Sequence, residues 1–110
     1  MEKIKKNSEF QNIYSKGKKF YSYYLLMYTL ENNLNKKRFG IVVSKKNGNA
    51  VCRNRIKRLI RESIRLNLMK FKDNYDYIII AKKNAGNNIE KLNLKIIEKD
   101  LIKIINRNLK

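Results

Sequence analysis

Phe39 to Glu62 reads FGIVVSKKNGNAVCRNRIKRLIRE, and within this stretch the apolar pattern changes period once. Arg38 to Lys45 (RFGIVVSK) is a short β-branched run that suits a strand. Gly48 and Asn49 then break it, and Asn49 is a natural helix N-cap. From there Ile56, Leu59, Ile60 and Ile64 recur at helical spacing, which predicts a helix over Ala50 to Met69. On a helical wheel those four gather on one side. Asn54, Lys57, Arg58, Arg61 and Arg65 gather on the other, with Arg55 at the edge. Only Glu62 offers local compensation. Arg53, Arg55 and Lys57 occupy the first two turns, where the positive end of the helix dipole makes each cation cost about 0.3–1 kcal/mol. A helix selected for stability alone would carry acids there. The guanidinium is a planar fork that grips phosphate with two hydrogen bonds, which an ammonium cannot do. The preceding Lys45, Lys46 and Gly48 add cations and a flexible backbone beside the helix start.

Upstream, Phe20 to Glu31 (FYSYYLLMYTLE) predicts a strand, best from Tyr24 to Leu30, and Asn32 to Lys37 is polar turn material. With Arg38 to Lys45 it forms an antiparallel hairpin with a longish loop. Before it, Ser8 and Gln11 read as a capping box and Phe10, Ile13 and Tyr14 share one face of a helix over Glu9 to Lys16. Gly17 suits a left-handed position after its end. Downstream, Asp73 and Asn74 mark a turn. Tyr75 to Lys83 (YDYIIIAKK) reads as a buried central strand, and Asn84 to Asn88 (NAGNN) as a break. Leu94, Ile97, Leu101, Ile104 and Ile105 mark one face of a last helix. The order is helix, strand, strand, helix, strand, helix. That is a single α+β domain over residues 1–110, a small mixed sheet with helices packed on it.

The 110 residues carry 27 Lys and Arg against 9 Asp and Glu, a net charge of +18. Self-repulsion on this scale opposes compaction, and a polyanion relieves it while releasing its own condensed counterions. Nucleic acid is the expected partner; an anionic membrane surface is the rival, although the basic helix lacks the bulky aromatic face of an interfacial helix. No segment approaches the roughly 20 apolar residues that span a bilayer, and no apolar signal-peptide core follows the basic Met1 to Lys6, so a cytoplasmic protein is expected. The chain has no histidine and one cysteine, Cys52. This excludes a Cys/His zinc site, an intramolecular disulfide and any Ser-His or Cys-His catalytic pair. The few carboxylates are scattered. A binding protein is favoured over a self-sufficient enzyme. Seven Tyr and four Phe supply candidate platforms for unpaired bases, foremost Phe10, Tyr14, Tyr28 and the Tyr21/Tyr23/Tyr24 group. For each ring, burial in the core is the competing reading.

The series S-K-K, then G-N-A-V, then R-N-R-x-K-R-x-x-R-E, over Ser44 to Glu62, closely resembles the signature of the bacterial ribonuclease P protein family. The resemblance extends to Ile4–Gly17 (IKKNSEFQNIYSKG), similar to that family's first helix, and to YDYIIIAKK. It implies an α-β sandwich with a left-handed βαβ crossover, against the general right-handed preference. It implies an accessory subunit of an endoribonuclease that trims the 5′ leader from precursor tRNA, with catalysis in an RNA subunit. Contacts to that RNA fall on Lys45, Lys46, Asn49, Arg53, Asn54, Arg55, Lys57, Arg58, Arg61 and Arg65. A cleft for the single-stranded leader falls on Phe10, Tyr14, Tyr28 and Lys83. Magnesium is expected at the level of the holoenzyme, held mainly by RNA, with no ligand set matched in this chain. The expected partners are one ribonuclease P RNA and precursor tRNA, with no membrane. Three departures stand out: Asn47 replaces an aliphatic residue before Gly48-Asn49, which is expected to loosen that turn; Asn84 stands where a proline is common after the basic pair; and Val42 occupies a strand position where a small polar residue can face the cleft. A general RNA chaperone or ribosome-associated protein remains the alternative class.

Overall fold

In the computed structural model, which describes residues 1–108, the chain forms five strands and four α-helices. They are β1 (Glu2–Lys3), α1 (Asn7–Lys16), β2 (Lys18–Tyr21), β3 (Leu25–Glu31), β4 (Arg38–Val42), α2 (Ala50–Leu66), β5 (Tyr75–Ala81), α3 (Lys83–Asn87) and α4 (Leu94–Asn108). The sheet order is β1-β4-β5-β3-β2. β3 pairs antiparallel with both β2 and β5, whereas β4 runs parallel to β5 and to β1. Thus β4 and β3 are not hairpin partners, contrary to the expectation from sequence. β5 inserts between them because its YDYIIIA run is apolar on both sides and must be covered on both.

Strand alternation divides the core in two. Leu25, Met27, Phe39, Tyr77, Ile79 and Ala81 pack with Ile56, Ile60 and Ile64 of α2 and Ile97, Leu101, Ile104 and Ile105 of α4. Phe39, Phe71 and Tyr77 form an aromatic knot there, with ring centroids 4.9–5.3 Å apart. On the other face Ile13 of α1 and the buried Ile4 close over Ile78, with Phe10, Tyr14, Tyr28, Leu30, Val42 and Ile80 around them.

Several boundaries differ from the sequence reading. The aromatic run splits at Ser22–Tyr24, because Asp100 of α4 accepts hydrogen bonds from the Ser22 hydroxyl and from the Tyr24 N–H (2.9 Å) and pins a corner there. α1 starts at Asn7, not Glu9. Its cap is Lys6, whose N–H donates to Glu9 Oε1 (3.3 Å), so Ser8 is not the N-cap. Gly17 has φ −76° and is not left-handed. It is small because a Cβ there would lie 2.6 Å from the Ile13 carbonyl oxygen and 2.8 Å from that of Thr29. α2 ends at Leu66, short of Met69, where the Asn67 amide turns back to donate to the Ser63 carbonyl. β5 stops at Ala81, and the expected break contains the short α3.

Candidate nucleic-acid interface

Asn49 caps α2 as its sequence position predicts: its side chain accepts from the Cys52 N–H at 3.0 Å. Before it, Lys45 and Lys46 stand exposed on a single 3₁₀ turn, Lys45–Asn47. Gly48 follows with φ +108°, a conformation that favours glycine. Asn47 fastens this turn, correcting the expectation that it loosens it. It is buried, donates to the Ala81 carbonyl (3.4 Å) and accepts from the Gly86 N–H (2.9 Å). Gly86 is obligate, since a Cβ would stand 2.5 Å from the Asn47 backbone. The cationic loop is thereby bolted to the end of β5.

Packing divides the polar residues on the outer side of α2 into two flanks. Arg53, Lys57 and Arg61, one turn apart, are half-buried; Asn54, Arg55, Arg58 and Arg65 are exposed. Arg55 donates to the Leu92 carbonyl at 3.0 Å, which steadies it against the segment before α4. Arg65 pairs with Glu62 at 3.0 Å. Among the described residues no other cation of α2 has an acidic partner, and the Nε atoms of Arg53 and Arg61 have no hydrogen-bond partner. The fold therefore leaves most of this charge unspent.

The opposite face of the sheet carries an aromatic cleft beside α1. Strand register sets Lys19, Tyr28, Ile78 and Gly40 in one row across the sheet. α1 covers this row with Phe10 and Tyr14. A Cβ on Gly40 would lie 2.7 Å from the Phe10 ring, so glycine admits that ring onto the strand. Tyr14 and Tyr28 meet edge to face at 5.0 Å, and burial, with Tyr28 adding to it, raises the Tyr14 phenol above its ordinary value. Lys19 Nζ sits 5.8 Å from the Tyr28 ring centre. In the next row Leu26, Ile80 and Val42 are half-buried and form the cleft floor, and Tyr21 stands exposed at its rim. Phe10, Tyr14 and Tyr28 are thus brought together. Lys83 stands apart, exposed at the start of α3. Lys82, passed over in the sequence, is the half-buried cation there, 5.9 Å above the Tyr21 ring. Continuing the β5 alternation past Ile80 would have identified it.

The two surfaces meet. One groove of about 220 Å³ is lined by Phe10 of α1, Gly40 of β4, and Lys57 and Arg61 of α2. Arg38 anchors this end of the molecule, with guanidinium nitrogens 2.7 Å from both Glu9 and Asp76. Its hydrogen bond holds the Glu9 carboxyl below the usual 4.5. Among the described residues no three His, Cys, Asp or Glu side chains converge on a possible metal site. The inward acids are engaged: Glu9 and Asp76 by Arg38, Asp100 by the Ser22–Tyr24 corner. Among the described residues these acids therefore form no all-protein magnesium cage. No described helix is long and apolar enough to cross a membrane.

Comparison with known proteins agrees with this geometry. The family model described as Ribonuclease P matches residues 1–108. The ribonuclease P protein component of Fusobacterium nucleatum subsp. nucleatum is 57% identical over 104 residues, covering 94% of each chain. That of Clostridium kluyveri is 47% identical over 103 residues, covering 92% of this chain and 91% of its own. Among solved structures, the RNase P protein from Thermotoga maritima superposes with a TM-score of 0.89 at 27% identity, covering 97% of both chains. The Staphylococcus aureus RNase P protein gives 0.86 at 36% identity, covering 98% of this chain and 95% of its own. By sequence over nearly its whole length and by fold, the chain belongs to the ribonuclease P protein family, the protein component of the ribonuclease P endoribonuclease.

Proposed function

We propose that this chain binds the catalytic RNA of ribonuclease P through α2 and the Lys45–Lys46 turn, and the 5′ leader of precursor tRNA through the cleft between α1 and the sheet. The observation that carries this reading is the shared groove, where Phe10 of the cleft and Lys57 and Arg61 of the basic helix line one surface. A leader lying in the cleft then passes directly beside RNA held on α2. Arg53, Asn54, Arg55, Arg58 and Arg65 meet the RNA backbone, where uncompensated guanidiniums displace counterions. Phe10, Tyr14 and Tyr28 offer ring faces and edges to unpaired bases, with Lys19, Lys82 and the exposed Lys83 toward the phosphates. The reaction is hydrolysis of one phosphodiester bond, which leaves the mature tRNA 5′ end. Catalysis resides in the RNA together with magnesium, held mainly by the RNA. The protein lowers repulsion between two polyanions and holds the leader, so precursor tRNA is favoured over mature tRNA. The working unit is one protein with one RNA, in the cytoplasm.

The test is cleavage of 5′-labelled precursor tRNA at low magnesium by a matched bacterial ribonuclease P RNA, with and without the protein. Accurate cleavage only when both are present supports the assignment. RNA binding without any change in cleavage returns the protein to the class of general RNA binders.

A further inference from the structure

Two of the chain's eleven Phe and Tyr residues are absorbed neither by the core nor by the cleft walls. Tyr21 is 58% exposed and Tyr23 is 62% exposed, while every other aromatic is half-buried or buried. Tyr23 sits on the Ser22–Tyr24 corner and Tyr21 ends β2 beside it, and the structure holds this turn of chain from four sides. Asp100 accepts from Ser22 and Tyr24, Lys82 Nζ donates to the Ser22 carbonyl at 3.1 Å, Asn84 donates to the Tyr23 carbonyl at 2.7 Å, and Arg107 donates to the Tyr21 carbonyl. Tyr23 is further propped edge to face on Tyr24 at 4.7 Å. The strands joined here could be linked by a corner of small polar residues, and no exposed ring is needed to close it. Exposed rings on a braced backbone lose little freedom when something stacks on them, which is the condition for an efficient contact.

Register defines what they extend. Tyr21 shares a sheet face with Lys19 and Tyr28, two residues along β2 from the position opposite Tyr28. That places it roughly 8 Å from Tyr28, from the spacing along and between strands. Lys82 lies over its ring and Arg107 at its carbonyl, so the rings are flanked by cations. Rings spaced along a groove and flanked by positive charge suit successive unpaired nucleotides.

We propose that Tyr21 and Tyr23 form a second stacking station for the precursor leader, upstream of the α1 cleft, so that leaders long enough to reach the corner bind more tightly than short ones. The proposal rests on the cleft reading above, because the leader must leave the cleft over Tyr28 to arrive there. The experiment measures affinity of the assembled holoenzyme for precursor tRNAs with leaders from one to about a dozen nucleotides. Wild type is compared with Tyr21→Ala/Tyr23→Ala, Tyr21→Phe/Tyr23→Phe and, separately, Tyr28→Ala. The double alanine variant is expected to lose about tenfold in affinity for the longest leaders and nothing for a one-nucleotide leader, while the double phenylalanine variant retains wild-type affinity. Unchanged affinity of the alanine variant for long leaders overturns the proposal. So does an equal loss for long and short leaders, an equal loss in the phenylalanine variant, or a change only in self-association by sedimentation. If Tyr28→Ala discriminates between leader lengths and the corner variants do not, the cleft reading stands and the station falls. If none discriminates, both fall.

Discussion

Gly17 and Gly40 show how single residues set the cleft. Neither needs unusual backbone angles; each is small because another group must come close. At Gly17 the neighbours are backbone carbonyls of Ile13 and Thr29 at 2.6 and 2.8 Å from a would-be Cβ, and they cannot rotate away. Gly17→Ala is expected to destabilise the protein by about 1–3 kcal/mol, read as a lower urea midpoint. Glu9 supplies a pH signature. Its carboxyl is held below 4.5, chiefly by the Arg38 hydrogen bond. The stability it contributes is therefore complete above the unfolded value and fades as pH falls through the lower folded one. Glu9→Gln should lower stability at neutral pH, where this contribution is complete, and the variant and wild-type profiles should converge as pH falls below about 4.5. The alkaline side belongs to Tyr77, whose phenol burial pushes up to about 12. There the unfolded chain ionises first, so stability falls as pH rises past the ordinary tyrosine value of 10.

At the scale of elements, α2 separates folding from binding along one helix. Its Ile56, Ile60 and Ile64 side is fully buried, and its cap is a single asparagine. Asn49→Ala should cost roughly 1 kcal/mol of stability, seen in thermal or urea unfolding of the free protein. Arg53→Ala, Arg55→Ala and Arg58→Ala are expected to change that stability far less and to weaken assembly with the RNA subunit instead. Unchanged RNA affinity in all three would remove α2 from the interface. On α1 the division runs the other way. Phe10→Ala or Tyr14→Ala should raise KM for precursor tRNA with little effect on assembly. Equal losses for mature and precursor tRNA would show that these rings do not meet the leader.

Across the whole molecule the dominant quantity is the +18 charge. A partner that neutralises several phosphates releases counterions, so RNA affinity should fall linearly on a log–log plot against salt. Removing one phosphate-contacting arginine should reduce the slope by about one. An affinity indifferent to salt would mean that the basic flank of α2 is merely solvated. The same charge explains the Arg38–Glu9–Asp76 cluster. In a chain with nine acids, two are placed on one half-buried arginine. There they join α1, β4 and β5 at the end of the shared groove.

Local sequence determined much of this protein. The period change between Val43 and Ile56, the Asn49 cap, the two-sided α2 and the apolar β5 are all set by residues near one another in the chain, and the element types follow from them. The family signature over Ser44–Glu62 located the basic surface. Tertiary structure decided the rest, because the deciding contacts join residues far apart in sequence. Asp100 breaks the aromatic run at Ser22–Tyr24 from 76 residues away. Asn47 reverses its expected role only because the β5 end and Gly86 arrive beside it. The strand order that inserts β5 between β3 and β4, the brief β1 on Glu2–Lys3, and the short α3 have no periodicity of their own to announce them. Lys82 rather than Lys83 lies over the Tyr21 ring because β5 keeps its alternation one residue past its last ladder pair, and strand parity selects which side chain faces the cleft.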